Sequence, residues 1–235
     1  MKPPPQQSLF HATVASCYLI AFLSYHVQLP GLFLSCGLVP LTSQIPLKIS
    51  GLFFLPPILI KPHNLAQLLA FLGVTLSSAT ITVPSSRPYL FPIVTLTYSY
   101  LLSISTSPSA PFMSFQWDSL LTESGFVCSL HAILSRVTSS TTPDHLPRLL
   151  LFKLMFMSSL VKIQSACPTW LHLTALEYHY ATQPLPTPLS WYALNYTHPL
   201  LQRGSVAVTF VVEMVAPGLL LWPSLRYDTS TLMHV

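Results

Sequence analysis

Charged side chains are the scarcest class in this chain: ten Lys and Arg with six Asp and Glu make 7% of 235 residues, against about 25% in an ordinary soluble domain. None lies between Lys2 and Lys48, and none between Arg87 and Asp118. Runs of that length exclude a typical soluble domain and read as membrane spans, for which about 20 apolar residues suffice. The basic residues are scattered, so the net charge of +4 forms no basic patch, and a nucleic-acid partner is excluded. Glycine is scarce as well, at seven residues, and no phosphate-binding glycine loop is present. A GxSxG elbow and a Cys–His nucleophile pattern are also missing. Cys17, Cys36, Cys128 and Cys167 contain no CxxC pair, which excludes a zinc knuckle and a thioredoxin-like redox motif.

What remains is 51% hydrophobic and carries 23 prolines. By composition alone, this Leu-, Ser-, Pro- and Thr-rich chain is equally the translation of a pyrimidine-rich strand; the order of its residues speaks for a membrane protein. Leu9 to Leu29 is long enough for one span of about 31 Å, stopped by Pro30 and Gly31. The run is too long for a signal peptide and no A-x-A site follows it, so it is expected to stay as an anchor. The fold class expected is all-α, a multi-pass transmembrane bundle with proline-rich loops. Its parts are a tail and first span (1–30), a loop (31–64), spans two to four (65–134), a linker (135–148), span five (149–163), an aromatic and proline-rich loop (164–203), and span six with a tail (204–235).

The loop at 164–203 is the least ordinary part. Pro184, Pro186 and Pro188 at alternate positions predict an extended, polyproline-like path. Tyr178, Tyr180, Trp191, Tyr192 and Tyr196 flank it, and such residues settle at the water–lipid interface. If the amino-terminal tail stays in the cytosol, five crossings place this loop on the far side. Asn195-Tyr196-Thr197 is an N-glycosylation sequon, usable only there. The basic residues do not decide orientation, since the two sides carry nearly equal numbers.

Several blocks then resemble a known family: VASCYLIAFLSYHVQLPGLF, SFQWDSLLTESGF, LLLFKLMFMSSLVKIQSACPTWLHLTALEYHYATQPLPTPLSWY and SVAVTFVVEMVAPGLLLWPSLR. In order and in pattern they are similar to the lipase maturation factor family, nearest to its lipase maturation factor 2 branch, over almost half of the chain. The HY-x-TQ-x-LPTP pattern is the most specific. The resemblance implies a multi-pass protein of the endoplasmic reticulum membrane, assisting folding, assembly and secretion of lipases such as lipoprotein lipase. It implies a lumenal position for 164–203, lipases or reticulum chaperones as partners beside the lipid bilayer, no cofactor and no enzymatic activity. Ala181 stands where the family pattern HYETQ has an acid, and the likeness is expected to end near Arg226, as in a truncated relative. A non-functional copy and a membrane enzyme using Asp118 and Glu123 are the alternatives.

Ionisable groups inside spans cost about 2.5–3.5 kcal/mol each, so Asp118, Glu123, Lys153 and Glu213 call for partners. Lys153 or Lys162 pairing with Glu213 or Asp118 is one reading, and headgroups reached at the interface are the other. Asp118 and Glu123 are about 140° apart around a helix and form no acid–base pair. His172, Glu177 and His179 lack the HExxH spacing, and no metal site is expected. Cys36 and Cys167 would share a compartment that permits a disulfide, bridged or as two thiols. His179, Tyr180, Gln183, Trp191 and Tyr192 are the candidate client-contact residues, read either as a docking surface or as a rigid flap.

Overall fold

A computed structural model of the chain describes residues 5–34, 36–41, 62–105, 113, 115–137, 145–183 and 187–221. Pro46, Pro56, Pro57, Pro184 and Pro186 lie outside them, as does half of the linker expected at 135–148, residues 138–144. Every regular element among the described residues is helical. The chain divides into two units, Met1–Pro147 and Arg148–Val235.

Among the described residues, the first unit holds four long helices, α1 (Pro5–Leu32), α2 (Pro62–Thr82), α3 (Arg87–Ser105) and α4 (Gln116–Val137), with a 3-10 turn at Pro84–Ser86. Their pairings fix the topology. Ser8 meets Arg87, Tyr18 meets Thr95, and Tyr25 meets Ser105, so α1 and α3 run in the same direction. His11 meets His131 while Tyr18 meets Leu121, so α4 runs against α1. The four-residue connection from α2 to α3 makes those two a hairpin. The result is an up-down-up-down bundle.

The seam of α1 explains why these helices pair. His11, Ala15, Tyr18, Phe22, Tyr25 and Leu29 are all buried, at spacings of alternately four and three residues, which line one face of a helix. Phe22 and Tyr98 meet edge to face at 5.4 Å, and Tyr18 meets Tyr98 in the same way at 5.4 Å. The other faces are just as apolar: Leu9, Ile20, Leu23 and Val27 of α1 and Leu68, Phe71 and Leu72 of α2 are exposed. A helix apolar all round belongs in a large core or a bilayer. In lipid, expulsion of water does not drive helices together, so close packing and interhelical hydrogen bonds must hold them. Two glycines permit that closeness. A Cβ on Gly73 would run into the Phe22 ring, and one on Gly125 into the Tyr18 and Thr95 hydroxyls.

Pro30 does not end α1, contrary to the stop expected at Leu29: the helix continues to Leu32. Leu29 carbonyl accepts from both Phe33 N–H at 2.9 Å and Leu34 N–H at 3.2 Å, and Leu38 and Val39 N–H groups return to Gly31 and Leu32. The backbone groups at this end are therefore satisfied around the proline, as a helix in hydrocarbon requires.

The second unit contains most of α5 (His145–Gln164), then α6 (Pro168–Leu171), α7 (Ala175–Thr182), α8 (Pro188–Tyr196), α9 (Pro199–Met214) and α10 (Ala216–Leu220). Pro168, Pro188 and Pro199 each open a helix, at the position where a missing N–H costs nothing and the fixed φ fits. The extended path expected around Pro188 is thus corrected. Pro188 starts a helix capped by a Thr187–Ser190 box, in which Thr187 Oγ1 accepts from Ser190 N–H at 3.2 Å and Ser190 Oγ accepts from Thr187 N–H at 3.0 Å. Ala166 at φ 50° and Leu173 at φ 60° take the left-handed conformation just past α5 and α6 that ends helices.

Among the described residues, three helical segments are long and apolar enough to cross a membrane: Gln7–Leu32, His63–Thr82 and Pro199–Leu219.

Candidate functional site

Glu213 on α9 is paired with Lys162 on α5, Nζ lying 2.6 Å and 2.5 Å from its two carboxylate oxygens. Both side chains are largely shielded, at 17% and 15% exposure. The ammonium also sits 5.1 Å from the Trp170 ring centre and donates to Ser158 Oγ at 3.1 Å. Trp170 in turn packs edge-on against Phe210. One carboxylate, one ammonium, a hydroxyl and an indole face therefore account for each other's charge, as a shielded ion pair needs if it is to be tolerated. Lys153 lies nine residues before Lys162, which is the opposite face of α5.

The acids of α4 have different surroundings. Asp118 lies in the first turn of its helix, where the dipole favours a carboxylate, and accepts from Tyr98 Oη at 2.8 Å. Glu123 is half-buried one and a half turns further on. Tyr98 hydroxyl is thus the group that the structure brings to Asp118.

Of the candidate client-contact residues, His179 and Tyr180 are on α7, Gln183 follows its last residue, and Trp191 and Tyr192 are on α8. They occupy two helices that pack on each other. Asn195 is exposed in the last turn of α8, its Nδ2 donating to Trp191 carbonyl at 2.8 Å, while Thr197 is extended. Among the described residues no three His, Cys, Asp or Glu side chains are grouped to hold a metal ion; His172, Glu177 and His179 are not so arranged. All four cysteines are free thiols. Cys167 Sγ lies 3.1 Å from Thr169 Oγ1, and that contact holds the thiol below its ordinary pKa.

Three contacts at one end of the first unit had no signal in the sequence. His11 and His131, 120 positions apart, share a hydrogen bond of 2.9 Å between ring nitrogens, and both are buried. Arg87, which reads in the sequence as the flank of a span, is buried; its guanidinium donates to Thr80 carbonyl at 3.1 Å and to Ser8 carbonyl and hydroxyl at 3.0 Å and 2.9 Å. Arg136 lies over the Tyr89 ring at 5.2 Å and donates to Ser85 carbonyl. The two arginines tie the amino ends of α1 and α3 to the carboxyl ends of α2 and α4, where unpaired carbonyls favour a cation.

The lipase maturation factor transmembrane domain matches residues 5–235. The chain belongs to the lipase maturation factor family. Its likeness therefore runs past Arg226, where the sequence blocks had been expected to end it. It is 38% identical to Lipase maturation factor 2 of Gallus gallus over 251 residues, covering 96% of this chain and 34% of that protein. With Lipase maturation factor 2 of Homo sapiens it shares 34% identity over 249 residues, 94% of this chain and 34% of that one. Lipase maturation factor 1 of Homo sapiens is 29% identical over 165 residues, 64% of this chain. The chain spans about a third of the length of these factor 2 relatives. No solved structure matches it. This family member is a membrane protein whose described part is all-helical.

Proposed function

We propose that this chain acts, without catalysis of its own, in the maturation of secreted lipases from the membrane of the endoplasmic reticulum, with residues 164–203 on the lumenal side. The observation that carries the proposal is the match of residues 5–235 to the lipase maturation factor transmembrane domain. The geometry of the first unit supports it. Tyr18, Tyr25, Tyr98 and Arg87 each spend their polar groups on neighbouring helices, the pattern of a scaffold held together inside lipid. In this reading the amino-terminal tail lies in the cytosol, and the five crossings expected from the sequence bring residues 164–203 to the lumen.

The test is complementation in cells that lack the endogenous factor, with lipase activity in the medium as readout. Restored secretion by the inserted chain is the expected result. A stably inserted chain, resistant to carbonate extraction, that leaves secretion at the level of the deficient cells overturns the proposal.

A further inference from the structure

From Tyr178 through Gln202 the chain contains no Asp, Glu, Lys or Arg, and α8 lies within that stretch. The inner side of α8 is fixed. Ser190 is buried in its capping box, Ala193 and Leu194 are half-buried, and the buried Gln202 of α9 donates from Nε2 to Ala193 carbonyl at 3.1 Å and to Thr197 carbonyl at 3.5 Å. Only Thr197 and His198 separate α8 from α9, so this amide sets the angle between the two helices. The outer side is open: Leu189 is 79% and Tyr196 74% exposed, with Trp191 and Tyr192 more than half exposed. The three rings touch one another at centroid distances of 5.1–5.8 Å. The same apolar surface continues through the exposed Leu200 and Leu201 into α9, which with α10 makes up Pro199–Leu219, a segment long and apolar enough to cross a membrane.

We propose that α8 is an interfacial helix whose aromatic face lies in the headgroup–acyl boundary of the bilayer that α9 enters. Lipid is the partner this surface fits. It joins a lipid-facing helix without a break, it has no charge, and its Trp and Tyr rings combine an apolar body with a polar tip, the chemistry of that boundary. Arg203, exposed one turn inside α9, is placed to reach back to the phosphates at the same depth. A second consequence concerns Asn195. At 100° per residue it falls between Trp191 and Tyr192 on the outer face, and its carboxamide is already bonded to Trp191 carbonyl. A glycan there would lift α8 off the lipid, so this sequon stays bare.

The inference rests on α9 crossing a bilayer and not on lipase maturation, and carbonate resistance reports insertion separately. The full chain and W191F are reconstituted in phosphatidylcholine vesicles, and the difference of their fluorescence isolates Trp191, since phenylalanine keeps the apolar ring. Lipids brominated near the ester end should quench this difference emission at least twofold more than lipids brominated near the chain terminus, while aqueous iodide leaves it nearly unchanged. Strong iodide quenching with no response to brominated lipid overturns the proposal. Mass mapping of the chain made in mammalian cells gives a second reading: an unmodified Asn195 peptide is expected, and a glycan on Asn195 overturns it.

Discussion

The two units solve the same problem in different ways. In the first, long helices meet along a buried aromatic seam, and the polar tips of Tyr18, Tyr25 and Tyr98 close on Leu121 carbonyl, Ser105 and Asp118. In the second, short helices leave much of their apolar surface exposed, and the Lys162–Glu213 ion pair sits under Trp170. Where helices pack densely, specificity comes from shape and from hydrogen bonds made in hydrocarbon. Where they do not, the outward surface must suit lipid, and a shielded charge pair ties α5 to α9.

Glycine substitutions separate the units most sharply. Gly73→Val should destabilise the first unit by about 3 kcal/mol, because the new side chain collides with Phe22 in a packed seam; thermal unfolding of the detergent-solubilised chain would measure it. A wild-type melting curve for this variant would mean that the α1–α2 contact is looser than described. Glu213→Gln should cost about 2 kcal/mol by leaving the Lys162 ammonium unbalanced, and pairing Lys162→Met with Glu213→Leu should recover most of it. An unchanged double-mutant cycle would show the pair to be incidental. Tyr25→Phe removes the 2.6 Å contact with Ser105 and should cost about 1 kcal/mol, while Tyr25→Phe with Ser105→Ala should be close to neutral. The smallest effect is expected at Gly204, whose Cβ would meet nothing within 4 Å: Gly204→Ala should stabilise α9 by about 0.5–1 kcal/mol. A loss of stability there would reveal a neighbour packed against that side of α9.

Much of the helix inventory was legible because a long charge-free run needs no partner to declare itself. The short helices of 164–203 were not legible. Alternate prolines point to an extended chain, yet Pro168, Pro188 and Pro199 each act as a first helical residue, a choice that depends on caps such as the Thr187–Ser190 box. Glu213 stood out as a charge needing a partner. The partner could not be picked from sequence, since Lys153 and Lys162 lie on opposite faces of one helix and only packing decides which face meets α9.

The sequence by itself determined that this chain belongs in a membrane and to the lipase maturation factor family, since both follow from the order of residues along one strand of chain. Only the tertiary structure decided that His11 meets His131, that Arg87 closes one end of the bundle, and that Trp191, Tyr192 and Tyr196 gather on the open side of α8. Those outcomes depend on distances between residues far apart in the chain or on which helix face its neighbours cover, and a linear pattern fixes neither.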